Sequence, residues 1–145
     1  MHRITLWIIL LFATTCADAA WYQKTDGTIV DPIKSVDGGN LSYSGSNVEP
    51  GAFLHGADLN NASMSGAFLL SANLTGASLR SADLTNATLA AANLSDADLS
   101  DADLQDSVLA SAILTGADLD NTNLENVNLS GSYLSDVLNY DSATW

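Results

Sequence analysis

The sequence predicts an all-β solenoid, and three observations carry the prediction. Leucine recurs every fifth residue from Leu54 to Leu134, a small residue stands two places before each leucine, and Gly, Asn, Asp or Ser dominates the places between. Met64 fills the one gap in the leucine series, which gives seventeen positions in strict phase. The small residue is alanine in thirteen of them, and Ser107, Thr122, Val127 and Ser132 take the other four.

The period itself excludes the simpler elements. An α-helix advances about 100° per residue, so a step of five turns each leucine about 140° from the last and leaves no apolar stripe. A flat strand alternates its side chains, so an odd period sends successive leucines to opposite faces. A coil that bends once per five residues meets the pattern. In it the small residue and the leucine, two apart in extended chain, both point inward, and the bend falls on residues such as Gly56, Asn61, Gly76, Asp96 and Asp136 that tolerate turn geometry. Many copies are required. Burying one leucine contributes roughly 1.5–3 kcal/mol, whereas fixing five residues of backbone costs roughly 5–10 kcal/mol. Stability must then come from stacking one coil on the next.

The runs Ala-Asp-Leu-Asn-Asn, Ala-Asn-Leu-Thr-Gly, Ala-Asp-Leu-Thr-Asn and Ala-Asp-Leu-Ser-Asp resemble the A(D/N)LXX motif of the pentapeptide-repeat family. The resemblance covers residues 52–136 and implies a right-handed quadrilateral β-helix with four pentads per coil, so that seventeen pentads make just over four coils. At about 4.8 Å between layers the rod is on the order of 20 Å long. Family members often carry phenylalanine at the central inward position; this chain has none there, and its interior is expected to be a leucine column. Some members resemble duplex DNA in shape and charge and bind topoisomerases, which gives an alternative function for an acidic rod.

With four pentads per coil, residues twenty apart stack, and the outward residues sort onto four sides. One side carries Phe68, Leu70, Ala90, Val108 and Ala110, and the next in sequence adds Phe53, Ile113 and Tyr133. Phe53, Phe68, Leu70, Val108, Ile113 and Tyr133 form the candidate interaction face, since contiguous exposed apolar surface usually marks a covering segment, self-association or a partner site. The other two sides are acidic, one with Asp58, Asp98, Asp118 and Asp120 and the other with Asp83, Asp103 and Glu125.

Ahead of the repeat, His2 and Arg3 lead into an apolar run from Ile4 to Ala13 and then to Ala17-Asp18-Ala19. This is the layout of a secretory signal peptide spanning 1–19, with Ala17 and Ala19 setting a cut before Ala20. The run is short for a spanning helix, and no later stretch is apolar for the roughly 20 residues one needs. Cys16, the single cysteine, lies in this segment, so the remaining chain has no disulfide framework. A lipoprotein reading would make Cys16 the lipidated residue, but Ala13 and Thr15 are not the branched and small residues that reading needs. Residues 20–51 form an N-terminal extension with Trp21, Tyr22, Ile29, Val30, Ile33, Val36, Leu41 and Tyr43, enough apolar surface to cap a coil end or cover a flank. Residues 137–145 form the C-terminal end, where phase places Asn139 in the leucine slot and Tyr140 and Trp145 follow.

Without residues 1–19, three basic residues (Lys24, Lys34, Arg80) stand against sixteen acidic ones, a net charge of −13. Such a charge repels phosphate backbones and anionic lipid, which argues against direct nucleic-acid binding. His55 is alone once His2 leaves, so no histidine metal site or histidine-based triad assembles. Asp96, Asp98, Asp101 and Asp103 are spaced by the repeat, and the glycine-rich nonapeptide of calcium-binding β-rolls is absent. Asn-X-Ser/Thr triplets at Asn40, Asn61, Asn73, Asn86, Asn93 and Asn128 matter only in a host that glycosylates asparagine. The hydroxyl column Thr75, Ser95, Thr115 and Ser135 lacks the paired threonine ranks of an ice-binding surface. No catalytic, cofactor or metal site is expected. The sequence points to an exported, non-enzymatic scaffold or interaction module, periplasmic or extracellular, or in a thylakoid lumen in a photosynthetic host. Its partner is expected to be a protein or a second copy.

Overall fold

A computed structural model describes residues 48–145, together with the backbone of three short strands in the N-terminal extension. The expected signal peptide, with Ala17 and Ala19, and most of residues 20–51 lie outside the described residues.

The repeat folds into a stack of coils whose walls are joined by parallel bridges between residues twenty apart: Phe53 with Asn73, Asp58 with Ser78, Ser63 with Asp83 and Phe68 with Thr88, then onward in the same steps to Ile113–Tyr133 and Asp118–Leu138. A spacing of twenty is four pentads, so each coil has four sides. We number them by their leucines: the first side holds Leu54, Leu74, Leu94, Leu114 and Leu134, the second Leu59, Leu79, Leu99 and Leu119, the third Met64, Leu84, Leu104 and Leu124, and the fourth Leu69, Leu89, Leu109 and Leu129.

The interior is the leucine column that the period requires. Every leucine from Leu54 to Leu119 on the inward positions is at most 1% exposed, Met64 is fully buried, and the alanines two residues earlier lie beside them. Two of the hydroxyls that replace alanine in the wall find acceptors in the preceding coil. Thr122 Oγ1 donates to the Leu99 carbonyl at 2.8 Å and Ser132 Oγ to the Leu109 carbonyl at 2.6 Å. Ser107 Oγ is buried with no partner among the described residues.

Each pentad ends in a β-turn, closed in all but the last by the N–H of the next small residue, as in Ala57 N–H to the Leu54 carbonyl at 3.0 Å. The second central residue of every such turn has positive φ, from Gly56 through Asn61 and Gly66 to Asp136, which is the type II pattern. Glycine, asparagine and aspartate accept that conformation most readily. Ala91, at φ 55°, does not.

The wall reaches beyond the strictly periodic residues. Before it, Val48 is fully buried in the core and Gly51 already makes a left-handed turn, with its N–H on the Leu70 carbonyl at 2.8 Å. In the extension, β1 (Tyr22–Gln23) and β2 (Ile29–Val30) form an antiparallel ribbon. β3 (Lys34–Ser35) pairs antiparallel with β4 (Ala62–Ser63), in register Lys34 to Ser63. β3 thus occupies the open edge of the first coil on the third side, which would otherwise present unpaired backbone.

At the other end the expectation for Asn139 fails. Asn139 is exposed, has φ 54° and donates from Nδ2 to Asp118 Oδ1 at 2.7 Å, so it forms a turn instead of filling the leucine slot. A polar amide is costly inside an apolar column and asparagine is at ease in left-handed turns. The turn comes two residues before its phase position, and the next bridge, Asn123–Thr144, spans twenty-one residues instead of twenty. The tail therefore lies on the second and third sides only. Leu129 is half-buried and Leu134 is 42% exposed, against 1% or less for their counterparts inside the stack.

Ala91→Gly relieves the left-handed strain at φ 55°, a penalty of about 1–2 kcal/mol for an L-residue, and loses about 0.5–1 kcal/mol to chain entropy. The variant is expected to raise the urea midpoint without changing the slope. A lowered midpoint would contradict the turn assignment.

Candidate functional site

The surface is governed by the fate of five backbone N–H groups per pentad. The leucine N–H and the turn residue N–H donate to carbonyls in the next coil, as Leu74 does to Asn93 at 2.7 Å and Gly76 to Ser95 at 2.8 Å. The outward residue before the leucine donates to the preceding coil, as Asn73 does to Ala52 at 2.8 Å, and the small residue closes the turn. The residue after the leucine has no backbone acceptor among the described residues in any pentad. A polar side chain two residues earlier supplies it. All nine pentads with Asp or Asn before the leucine make this bond from Oδ1 at 3.0–3.3 Å, at residues 58, 73, 83, 93, 98, 103, 118, 123 and 128. This is an Asx turn repeated along the rod.

The candidate interaction residues fall where that bond is missing. Phe68, Thr88, Val108 and Asn128 stack in one outward column of the fourth side, and of these Asn128 alone closes its pentad. The N–H groups of Leu70, Ala90 and Ala110, stacked in three successive layers, have no acceptor among the described residues. On the first side the column runs Phe53, Asn73, Asn93, Ile113, Tyr133. Ile113 and Tyr133 are neighbours there, whereas Phe53 is cut off from them by two asparagines. Leu70, beside Phe68 on the fourth side, is 38% exposed, Phe53 80% and Tyr133 63%. The structure thus brings Phe68 to Leu70 and Ile113 to Tyr133, and sets Val108 on the fourth side between Thr88 and Asn128.

The acidic residues occupy the second and third sides, with Asp98 stacked on Asp118 and Asp83 on Asp103. Amides from the next coil moderate the repulsion: Asn123 Nδ2 donates to Asp103 at 3.0 Å and Asn126 Nδ2 to Asp106 at 3.1 Å. Arg80 lies against Asp98 at 3.4 Å and Asp101 at 3.9 Å. It is half exposed, so these ion pairs contribute little. Among the described residues no group of three or more His, Cys, Asp or Glu side chains is placed to hold a metal ion.

Partial burial of Asp98 opposes its ionisation, but hydrogen bonds from the Ser100 hydroxyl and backbone N–H, together with the Arg80 charge, outweigh it and hold the carboxyl below the ordinary 3.8. A folded-state value below the unfolded one adds stability that is present in full above the unfolded value and is lost as pH falls through the folded value. Asp98→Asn keeps the Oδ1 acceptor and removes the charge. The native protein is expected to be more stable than Asp98→Asn at pH 6 and to lose that advantage below the usual carboxylate range. A difference independent of pH in urea titrations would contradict the assignment.

A family model for pentapeptide repeats matches residues 52–90 and 92–131 in eight copies. Among solved structures, HetL of the cyanobacterium Nostoc sp. strain PCC 7120, a pentapeptide repeat protein involved in heterocyst differentiation regulation, is 29% identical at a TM-score of 0.60, over 69% of this chain and 49% of its own. A pentapeptide repeat protein of the Arabidopsis thaliana thylakoid lumen is 31% identical at a TM-score of 0.57, over 63% of this chain and 68% of its own. A third, from Nostoc PCC 7120, is 34% identical at a TM-score of 0.51, over 60% of this chain and 83% of its own. The chain thus spans about half the length of HetL. No curated protein matches the chain significantly. Pentapeptide repeat proteins are generally scaffolds and not enzymes, and many act through protein interactions. With its four-sided coils, continuous wall bridges and matched repeats, the chain belongs to the pentapeptide-repeat family and is a right-handed quadrilateral β-helix.

Proposed function

We propose that the chain is an exported, non-enzymatic scaffold that engages a protein through its first and fourth sides. The observation that carries this reading is the column of N–H groups at Leu70, Ala90 and Ala110 that have no acceptor among the described residues, beside Phe68 and Val108. Apolar surface flanked by unsatisfied donors suits a partner that offers both apolar groups and neutral acceptors. The acidic sides have their carboxylates engaged in turns and amide bonds, which suits a solvated surface that keeps the rods soluble. Export rests on the layout of residues 1–19, with cleavage before Ala20, and the thylakoid-lumen protein provides a similar fold in an exported compartment. No described helix is long and apolar enough to cross a membrane.

Intact mass of the protein recovered from its host is expected to lack residues 1–19, and cross-linking followed by mass spectrometry is expected to place partner peptides on the first and fourth sides. A full-length mass in the cytoplasmic fraction contradicts export. Cross-links confined to the second and third sides contradict the interaction surface.

A further inference from the structure

We propose that the fourth side is a self-association surface on which a second copy of this chain seats its own fourth side, with the two rods parallel. The inference rests on the reading of that side as an interaction surface and names the occupant.

Charge restricts the approach. Each copy carries −13, so two copies repel unless the carboxylates point away from the contact. The two outward columns of the fourth side, Phe68 to Asn128 and Leu70 to Ser130, contain no ionisable group. The second side, with Asp58, Asp98 and Asp118, is opposite it across the coil and faces away from any partner seated on the fourth.

The order of residues along the column selects the orientation. From the Phe68 layer onward, one of the two outward columns reads Phe68, Thr88, Val108, Asn128, so apolar and polar residues alternate. Two parallel copies related by a twofold axis along the rod bring each layer against the same layer of the partner, with the two outward columns facing one another: Phe68 by Leu70, Thr88 by Ala90, Val108 by Ala110 and Asn128 by Ser130. Antiparallel copies would oppose Phe68 to Asn128 and Thr88 to Val108, burying polar groups against apolar ones. Among the described residues the Leu70, Ala90 and Ala110 N–H groups have no acceptor, and the partner's Thr88 hydroxyl, in the facing column, is a neutral acceptor of that kind. A contact four layers tall, about 20 Å at ~4.8 Å per layer, falls below the roughly 1,200 Å² of a stable interface. Association is therefore weak, depends on concentration, and strengthens as salt screens the acidic sides.

The test uses Thr88→Cys in a Cys16→Ser background, with Ser78→Cys on the second side as control. At high protein concentration and high salt, mild oxidation is expected to give a Thr88→Cys disulfide dimer at least fivefold faster than the control. Sedimentation velocity of the protein with its native residue 88 is expected to show a dimer that weakens at least fivefold in Val108→Asn. That substitution supplies the missing Oδ1 acceptor for Ala110 N–H, so the variant remains folded. Equal cross-linking of the two cysteine variants, or a dimer unaffected by Val108→Asn, overturns self-pairing. A monomer at every concentration also overturns it; if Val108→Asn then abolishes cross-links to a different protein in the host, the interaction surface stands without the self-pairing. A mixture of Thr88→Cys and Val108→Cys that cross-links faster than Thr88→Cys alone overturns the parallel orientation.

Discussion

One backbone N–H per pentad has nowhere to go, and much of the surface is organised by that fact. Stacking coils four pentads long satisfies three of the five donors, and the turn satisfies a fourth. The donor after each leucine points out of the wall, where water, a side chain or a partner must meet it. An Asp or Asn two residues earlier reaches it without any change in the coil. The residue type beside the leucine is therefore a structural choice before it is a functional one.

This choice divides the rod. On the second and third sides Asp and Asn predominate at the position before the leucine, and the wall there is acidic and closed in most layers; Ser65, in the pentad that carries Ser63, has no acceptor for its N–H among the described residues. Arg80 on the second side is a variation on the same theme: with Ser78 in the central position, its N–H is met by Asn60 Oδ1 from the previous coil at 2.9 Å. On the fourth side and at the end of the first, Phe68, Thr88, Val108, Ile113 and Tyr133 replace the carboxylates and amides. Among the described residues each pentad there lacks that hydrogen bond, and it gains outward surface of another character. A face that only kept the protein soluble would not need that exchange, and for this reason the proposed interaction is placed there and not on the more conspicuous charge.

The period of five, the small residue before each leucine and the turn residues were enough to read the coil and its interior from sequence, because each reports a local requirement of side-chain size or φ. Sorting by twenty also placed Phe68 with Val108 and Ile113 with Tyr133 on shared sides. The sequence alone does not show why Asp or Asn stands before the leucine, since the bond it makes matters only after the coils have consumed the other donors. Thr88, Asn128, Asn73 and Asn93, which interrupt the apolar columns, become visible once each side is followed layer by layer. The ends were harder still. Val48 enters the core without belonging to the repeat, β3 pairs with β4 from outside the repeat, and Asn139 turns early because its amide is better placed on Asp118 than among leucines.

Native-state hydrogen exchange tests the donor accounting most directly, amide by amide. Thr75, Ser95 and Gln105, whose N–H groups are held by Asn73, Asn93 and Asp103, are predicted to exchange slowly. Leu70, Ala90 and Ala110, in equivalent positions of dilute protein, are predicted to exchange at least tenfold faster. Equal protection of the two sets would contradict the account.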